Sequence, residues 1–250
     1  MKVAAYQAPL ALCHADLALA PIRAQINRCE TLGVEILCCP EAVLGGLADY
    51  VERPSAIALD VAGGGLNEIA QALASNSVTT IVGFTEIDRD GRLFNAAAII
   101  ARGSVAGVYR KLHPAINRSV YHAGADLPVF TVGALTFGVV ICYDSVFAEP
   151  MSVMVSRGAR AIFIPTNNGM PAAKGGAELV GEARTIDIAR AKEYGIAIVR
   201  ADVAGVVGDL VSYGSSAIVD RYGNVLIAAP QLQADLLVAE IGRESTVAQK

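Results

Sequence analysis

Apolar and polar positions along this chain alternate between two periods. Lys2–Gln7 reads as a strand, and Asp16–Leu32 follows with apolar residues near helical spacing until Gly33 stops it. Val34–Cys39 is a short apolar strand that ends at Pro40-Glu41. Gly63-Gly64-Gly65 forms a turn that opens a helix over Leu66–Ala74. Thr79–Ile87, rich in β-branched residues, turns through Asp90-Gly91 into a partner strand, Asn95–Ala101. Gly107–Lys111 then leads into an irregular loop, Leu112–Pro128. The second half repeats the theme: strands at Leu135–Cys142, Ala161–Pro165 and Ile196–Asp202, helices at Pro150–Arg157 and Glu178–Tyr194. A hairpin of Gly214–Asp220 with Asn224–Ala228 closes the pattern around Tyr222-Gly223. Strand–helix–strand–helix followed by hairpins, twice over, predicts a layered α/β unit with internal pseudo-symmetry. No linker or low-complexity segment divides residues 1–250, so one domain is expected.

Composition narrows the function classes. Hydrophobic residues make up 54% and charged residues 18% of the 250, enough for a large core and incompatible with disorder. The balance of 20 basic against 24 acidic residues, without a basic cluster, argues against nucleic-acid binding. The longest uncharged stretches, Ile69–Thr85 and Leu127–Tyr143, stop short of the ~18 apolar residues of a membrane span, and no membrane association is expected. Gln7 and Pro9 interrupt the amino-terminal apolar run, which reads as a strand rather than a secretion signal. Five cysteines (13, 29, 38, 39 and 142) without C-x-x-C spacing exclude a disulfide framework and a zinc site, and predict a reducing, cytoplasmic setting.

No G-x-S-x-G elbow, phosphate-cradling loop or H-E-x-x-H is present. Nothing singles out His14, His113 or His122 as a base, and each reads as an ordinary loop residue. Three polar residues stand just beyond apolar strands, where α/β folds place function. Glu41 follows Leu37-Cys38-Cys39-Pro40, and there a carboxylate is partly desolvated and suits the work of a base. Lys111 ends the strand through Val108-Tyr109-Arg110. Cys142 closes Gly138–Ile141 where a strand breaks toward a helix, and exposed N–H groups with a nearby cation would there favour a thiolate and an oxyanion. Each alone has a bland alternative, a helix cap for Glu41, a solvated strand end for Lys111 and a buried thiol for Cys142. Cys13, Cys29, Cys38 and Cys39 read as buried thiols.

Together, CCPEAVLGG around Glu41, GVYRKLHP around Lys111 and GVVICYDSVFAEP around Cys142 resemble the nitrilase superfamily of carbon–nitrogen hydrolases. KVAAYQAP, GARAIFIPTNNGMP and DIARAKEYGIAIVRADVAG extend the resemblance over nearly the whole chain. The resemblance implies a four-layer αββα sandwich that pairs into αββααββα dimers or larger homo-oligomers. It also implies a Glu41–Lys111–Cys142 triad acting through a Cys thioester on a small amide or carbamoyl compound, with no metal or organic cofactor. Lys111 and the backbone N–H of Tyr143 would hold the oxyanion. The Tyr-Asp pair after Cys142 leans toward an amidase, since nitrile-hydrolysing branches more often show Trp-Glu there. Tyr50, Tyr143, Asn168 and Met170 are candidate pocket residues by nearness to the motifs. One departure stands out: Asn117 falls where many relatives carry a second Glu, and Asn cannot supply that charge. Two alternatives remain open, a nitrilase acting on R–C≡N and a non-catalytic binding subunit of the same fold. Coupling to a synthetase domain is not expected, for want of a second catalytic region.

Overall fold

A computed structural model of the chain describes residues 1–11 and 15–242; Cys13 and His14 therefore lie outside the described residues. The first half runs β1 (Lys2–Pro9), α1 (Ala15–Leu32), β2 (Ile36–Cys38), α2 (Asn67–Ala72), β3 (Thr79–Ile87), β4 (Leu93–Ala101) and β5 (Ser104–Arg110). The second half starts with a hairpin of β6 (Val129–Val132) and β7 (Leu135–Val139). It continues through α3 (Ala148–Ser156), β8 (Ala161–Pro165), β9 (Met170–Pro171), α4 (Glu178–Tyr194) and β10 (Ala197–Ala201). Strands β11 (Val203–Val207), β12 (Leu210–Ser212), β13 (Ala217–Val219), β14 (Val225–Ala228) and β15 (Asp235–Glu240) complete it.

The expected pseudo-symmetry is present in the strand order. In the first sheet β1, β2 and β3 are parallel and β4 and β5 follow antiparallel. The second sheet repeats this with β7, β8 and β10 parallel and β13 and β14 antiparallel. Each set of parallel strands is joined by helices, and the right-handed crossovers such strands favour put those helices on one face.

Period-two alternation separates two cores. On β1, Val3 and Ala5 face the buried set between the sheets, with Ile36, Cys38, Ile81, Phe137, Val139 and Phe163. Ala4, Tyr6 and Ala8 point the other way, onto Ala18, Ile22, Ile26 and Cys29 of α1. Those four recur at helical spacing, which is why α1 presents one stripe to the sheet. On the far side Met151 and Met154 of α3 and Ala191 of α4 cover the second sheet. The layers are therefore helix, sheet, sheet, helix, the expected αββα sandwich. Strand β15 returns to pair with β1 from Lys2↔Glu240 to Gln7↔Asp235.

The sequence pattern missed β6, β9, β11, β12 and β15, short or edge segments whose pairing is long-range and leaves little local periodicity. Among the described residues no helix is long and apolar enough to cross a membrane.

Candidate active site

The parallel strands of both sheets end on one side, and the polar residues cluster there. Glu41 lies in the turn after β2, where Ala42 has φ +50°. Gly83 of β3 makes room for that turn: a Cβ at residue 83 would come within 2.8 Å of Glu41 Cα, and closer still to the backbone of Pro40 and Ala42. Lys111 follows β5, its backbone N–H donating to Asn95 O on β4 at 2.8 Å. Cys142 opens a 3-10 turn, Cys142–Val146, three residues beyond β7, with φ +47°. A non-glycine residue in that region is strained by roughly 1–3 kcal/mol and persists only where its surroundings demand it.

Glu41 and Lys111 are 2% and 4% exposed, and their side chains meet at 2.6 Å. Glu41 Oε1 accepts from Lys111 Nζ and, at 2.7 Å, from Asn95 Nδ2, which fills both of its lone pairs. Among the described residues Oε2 accepts only the Asn167 N–H, at 2.9 Å, and keeps a lone pair for a proton. Burial opposes the Lys111 charge, but the Glu41 carboxylate, with Cys142 and Asp144 nearby, outweighs it and holds the ammonium above the ordinary lysine range. Lys111 is thus a fixed cation.

The Cys142 thiol is pushed up to about 12, first by burial and then by the Glu41 charge, against the lowering pull of Lys111 and Arg200. This corrects the expectation of a favoured thiolate. The cation is there, but burial and the carboxylate bound to it outweigh its pull, so the resting group is S–H. Cys142 Sγ donates to Asn168 Oδ1 at 3.8 Å. Asn168 is aimed by Asp202, whose carboxylate accepts from the Asn168 backbone N–H at 3.1 Å and from Nδ2 at 2.9 Å. Burial raises the Asp202 carboxyl, and donors from Ser215, Asn168 and Val203 offset it in part. Asp144, fully buried, accepts from Tyr109 Oη (2.8 Å), His113 N (2.8 Å) and Ile141 N (3.1 Å). That carboxylate ties the loop after Lys111 to the Cys142 turn. Behind both, Arg200 is held by Asp187 (2.6 Å), Thr166 (2.9 Å) and Ser145 (3.1 Å).

A cavity of about 470 Å³ takes in Glu41, Lys111 and Cys142 together. Tyr50, Asn117, Tyr143, Asn168 and Met170 also line it, so every residue selected from the sequence reaches one space. Asn117 makes no hydrogen bond to Lys111 or Glu41; Asp49, from the turn Ala48–Tyr50, is the further carboxylate on the wall. His113 is not in the cavity: it stacks on Phe147 with ring centroids 3.8 Å apart and contacts Asp144 at 3.0 Å. His122 lies outside it too, beside Phe94. Among the described residues no cluster of His, Cys, Asp or Glu could hold a metal ion. Sequence reasoning missed Asn95, Asn167, Asp144 and Asp202. Three of them follow strands β7, β8 and β10, the same signal that marked Cys142, while Asn95 interrupts the apolar run FNAAAII, where a polar residue asks for a reason.

Comparison with known proteins agrees with this geometry. The family model described as carbon-nitrogen hydrolase matches residues 2–250. An (R)-stereoselective amidase from Pseudomonas sp. is 28% identical over 78% of this chain and 69% of its own length. A nitrilase from Pyrococcus abyssi is 31% identical over 70% of this chain and 68% of its own. Other relatives are longer: the chain spans 61% of a Pseudomonas protegens hydrolase and 38% of a Xylella fastidiosa glutamine-dependent NAD(+) synthetase. In structure, an amidase from Nesterenkonia sp. AN1 superimposes with a TM-score of 0.79 at 24% identity, covering 97% of this chain and 93% of that one. Fold, motifs and match over the whole length agree, and the chain belongs to the carbon–nitrogen hydrolase family of the nitrilase superfamily.

Proposed function

We propose that this chain hydrolyses the carbon–nitrogen bond of a small amide or carbamoyl compound through a thioester on Cys142, with Glu41 as general base and acid and Lys111 as the oxyanion cation. The observation that carries this reading is the buried Glu41–Lys111 pair opening onto the same cavity as Cys142. The amidase relative supports an amide over other carbon–nitrogen substrates.

In the first step the thiol proton passes to the vacant lone pair of Glu41 Oε2 as sulfur attacks the carbonyl carbon. The carbonyl oxygen gains the negative charge, facing Lys111 Nζ and the Tyr143 backbone N–H. A donor aimed at such an oxygen is worth roughly 3–4 kcal/mol. The carbon–nitrogen bond then breaks, and the nitrogen leaves as ammonia or an amine with the proton held by Glu41. Water attacks the thioester in turn, giving its proton to Glu41. The carbon–sulfur bond breaks, the proton returns to sulfur and the acid is released. Since Lys111 stays charged and Oε1 is saturated, the proton traffic runs through Oε2 alone.

Substitution of Glu41 by Gln removes the base while leaving the volume unchanged. It is expected to lower kcat by about 10²–10⁴-fold, the usual range for a positioned acid–base group. Hydrolysis of the best substrate unchanged in Glu41→Gln would overturn the assignment. The nitrilase relative favours a second reading, R–C≡N as substrate. Matched amide and nitrile pairs decide between them, and a strong preference for the nitrile would replace the first reading.

A further inference from the structure

The cavity holds four described charged side chains, and three of them are already engaged. Glu41 and Lys111 pair with each other. Asp49 accepts from Ser119 Oγ at 3.0 Å and from the Val120 backbone N–H at 2.8 Å, so it fastens the 117–121 loop to the wall. The fourth, Lys174, lines the same cavity, is exposed, and has no ion-pair or hydrogen-bond partner among the described residues.

Lys174 is not on a loose tip. It ends a 3-10 turn, Ala172–Lys174, directly after β9. Strand β9 pairs with β12 through Leu210↔Pro171 and Val211↔Met170. Ala172 N donates to Asp209 O at 2.8 Å and Gly175 N to Ala172 O at 3.1 Å, so the backbone is tied on both sides of the turn. Gly175 and Gly176, at φ +88° and +121°, then lead the chain into α4. An ammonium at the wall of a reaction cavity, with no ion-pair partner among the described residues, is a receptor for an anion.

We propose that Lys174 reads a carboxylate on the substrate, remote from the scissile bond. On this reading the chain acts on small anionic amides, in which one end is the carbonyl–nitrogen group and the other a free carboxylate. The inference rests on the amide hydrolysis proposed above. It adds a specificity-determining residue that neither touches nor moves the reacting atoms. The cavity volume fits a compact two-ended molecule. Asp49 works against this choice as a fixed negative charge on the same wall, which makes an ammonium-bearing amide the natural competitor.

The test compares three primary amides of equal length ending in a carboxylate, a methyl group or an ammonium, with wild type, Lys174→Arg, Lys174→Ala and Lys174→Glu. Wild type is expected to favour the carboxylate over the methyl amide by roughly tenfold or more in kcat/KM, chiefly through KM. Lys174→Arg keeps that preference, Lys174→Ala removes it, and Lys174→Glu turns it toward the ammonium. Binding is read separately in the Cys142→Ala background, with and without Lys174→Glu, from the Tm shift caused by the carboxylate amide. Lys174-dependent binding without turnover by wild type keeps this inference and refutes the hydrolytic reading. Turnover of the methyl amide with no carboxylate preference, a wild-type preference for the ammonium, or a preference indifferent to Lys174→Glu overturns the inference and leaves the hydrolytic reading standing. No turnover and no Lys174-dependent binding overturns both.

Discussion

The Cys142 thiol is raised rather than lowered by its surroundings, and this shapes the chemistry at the scale of single residues. A raised thiol is protonated below its pKa, so at neutral pH the sulfur reacts only as Glu41 takes its proton. Thiolate accumulates only as the pH nears about 12. Alkylation of the free protein by a small neutral reagent should therefore quicken steadily above the usual thiol range of about 8.5 without levelling off there. The checking measurement is the rate at Cys142, read by mass, from pH 6 to 10. A plateau near pH 8 would show that Lys111 outweighs burial and Glu41. Cys29, Cys38 and Cys39, fully buried, should be labelled more slowly throughout. Asp202 offers a second test. Asp202→Asn turns an acceptor of five hydrogen bonds into a group that must present N–H to donors, and it releases Asn168 from its orientation. A fall in kcat of roughly tenfold or more is expected, with the fold retained by circular dichroism. Unchanged kcat would remove Asn168 from the proton and sulfur geometry.

At the scale of elements, the site depends on how strand ends are spaced. Gly83 lets β3 pass against the turn that carries Glu41, so Gly83→Ala forces the backbone at Pro40–Ala42 to move. A stability loss of about 1–3 kcal/mol is expected, the ordinary cost of overpacking, together with a lower kcat. Denaturant melts and steady-state rates check both, and a neutral result would mean the turn yields without disturbing Glu41. The buried Arg200–Asp187 pair holds β10 to α4. Removing one partner, as in Asp187→Ala, strands a charge and should cost about 3–5 kcal/mol. Glu41, Lys111 and Cys142 stood out in the sequence as polar residues just beyond strands, a signal that left each a bland alternative, and the family resemblance joined them as one proposed triad. Helix α4 was legible to the residue, Glu178–Tyr194, since Gly195 stops it in the left-handed conformation. Asn95, which fills the second lone pair of Glu41 Oε1, was not legible. Its neighbour on the other side of the bond is 54 residues away, and only strand register brings them together. The extent to which the Cys142 thiol is raised was hidden too: the nearby cation and carboxylate were foreseen, but not the burial that is the first cause of the rise.

For the whole molecule, strand β15 pairing with β1 closes the sandwich end to end, which supports the proposal that residues 1–250 form one domain. A single cooperative calorimetric transition is expected, and two separable transitions would argue for independent halves. Pairing into dimers is a family expectation, which light scattering in line with size exclusion tests against a monomer of 25.9 kDa. The proposed mechanism draws its nucleophile, base and cation from side chains alone, so exhaustive dialysis against a chelator should leave the rate unchanged. The most direct test of the central claim is intact-mass spectrometry after incubation with small amides, carbamoyl amino acids and nitriles. The account predicts an acyl adduct on Cys142, absent in Cys142→Ala, whose added mass names the acyl group. Hydrolysis that persists in Cys142→Ala, or a folded protein that takes no adduct and labels Cys142 no faster than Cys29, Cys38 or Cys39, would contradict it.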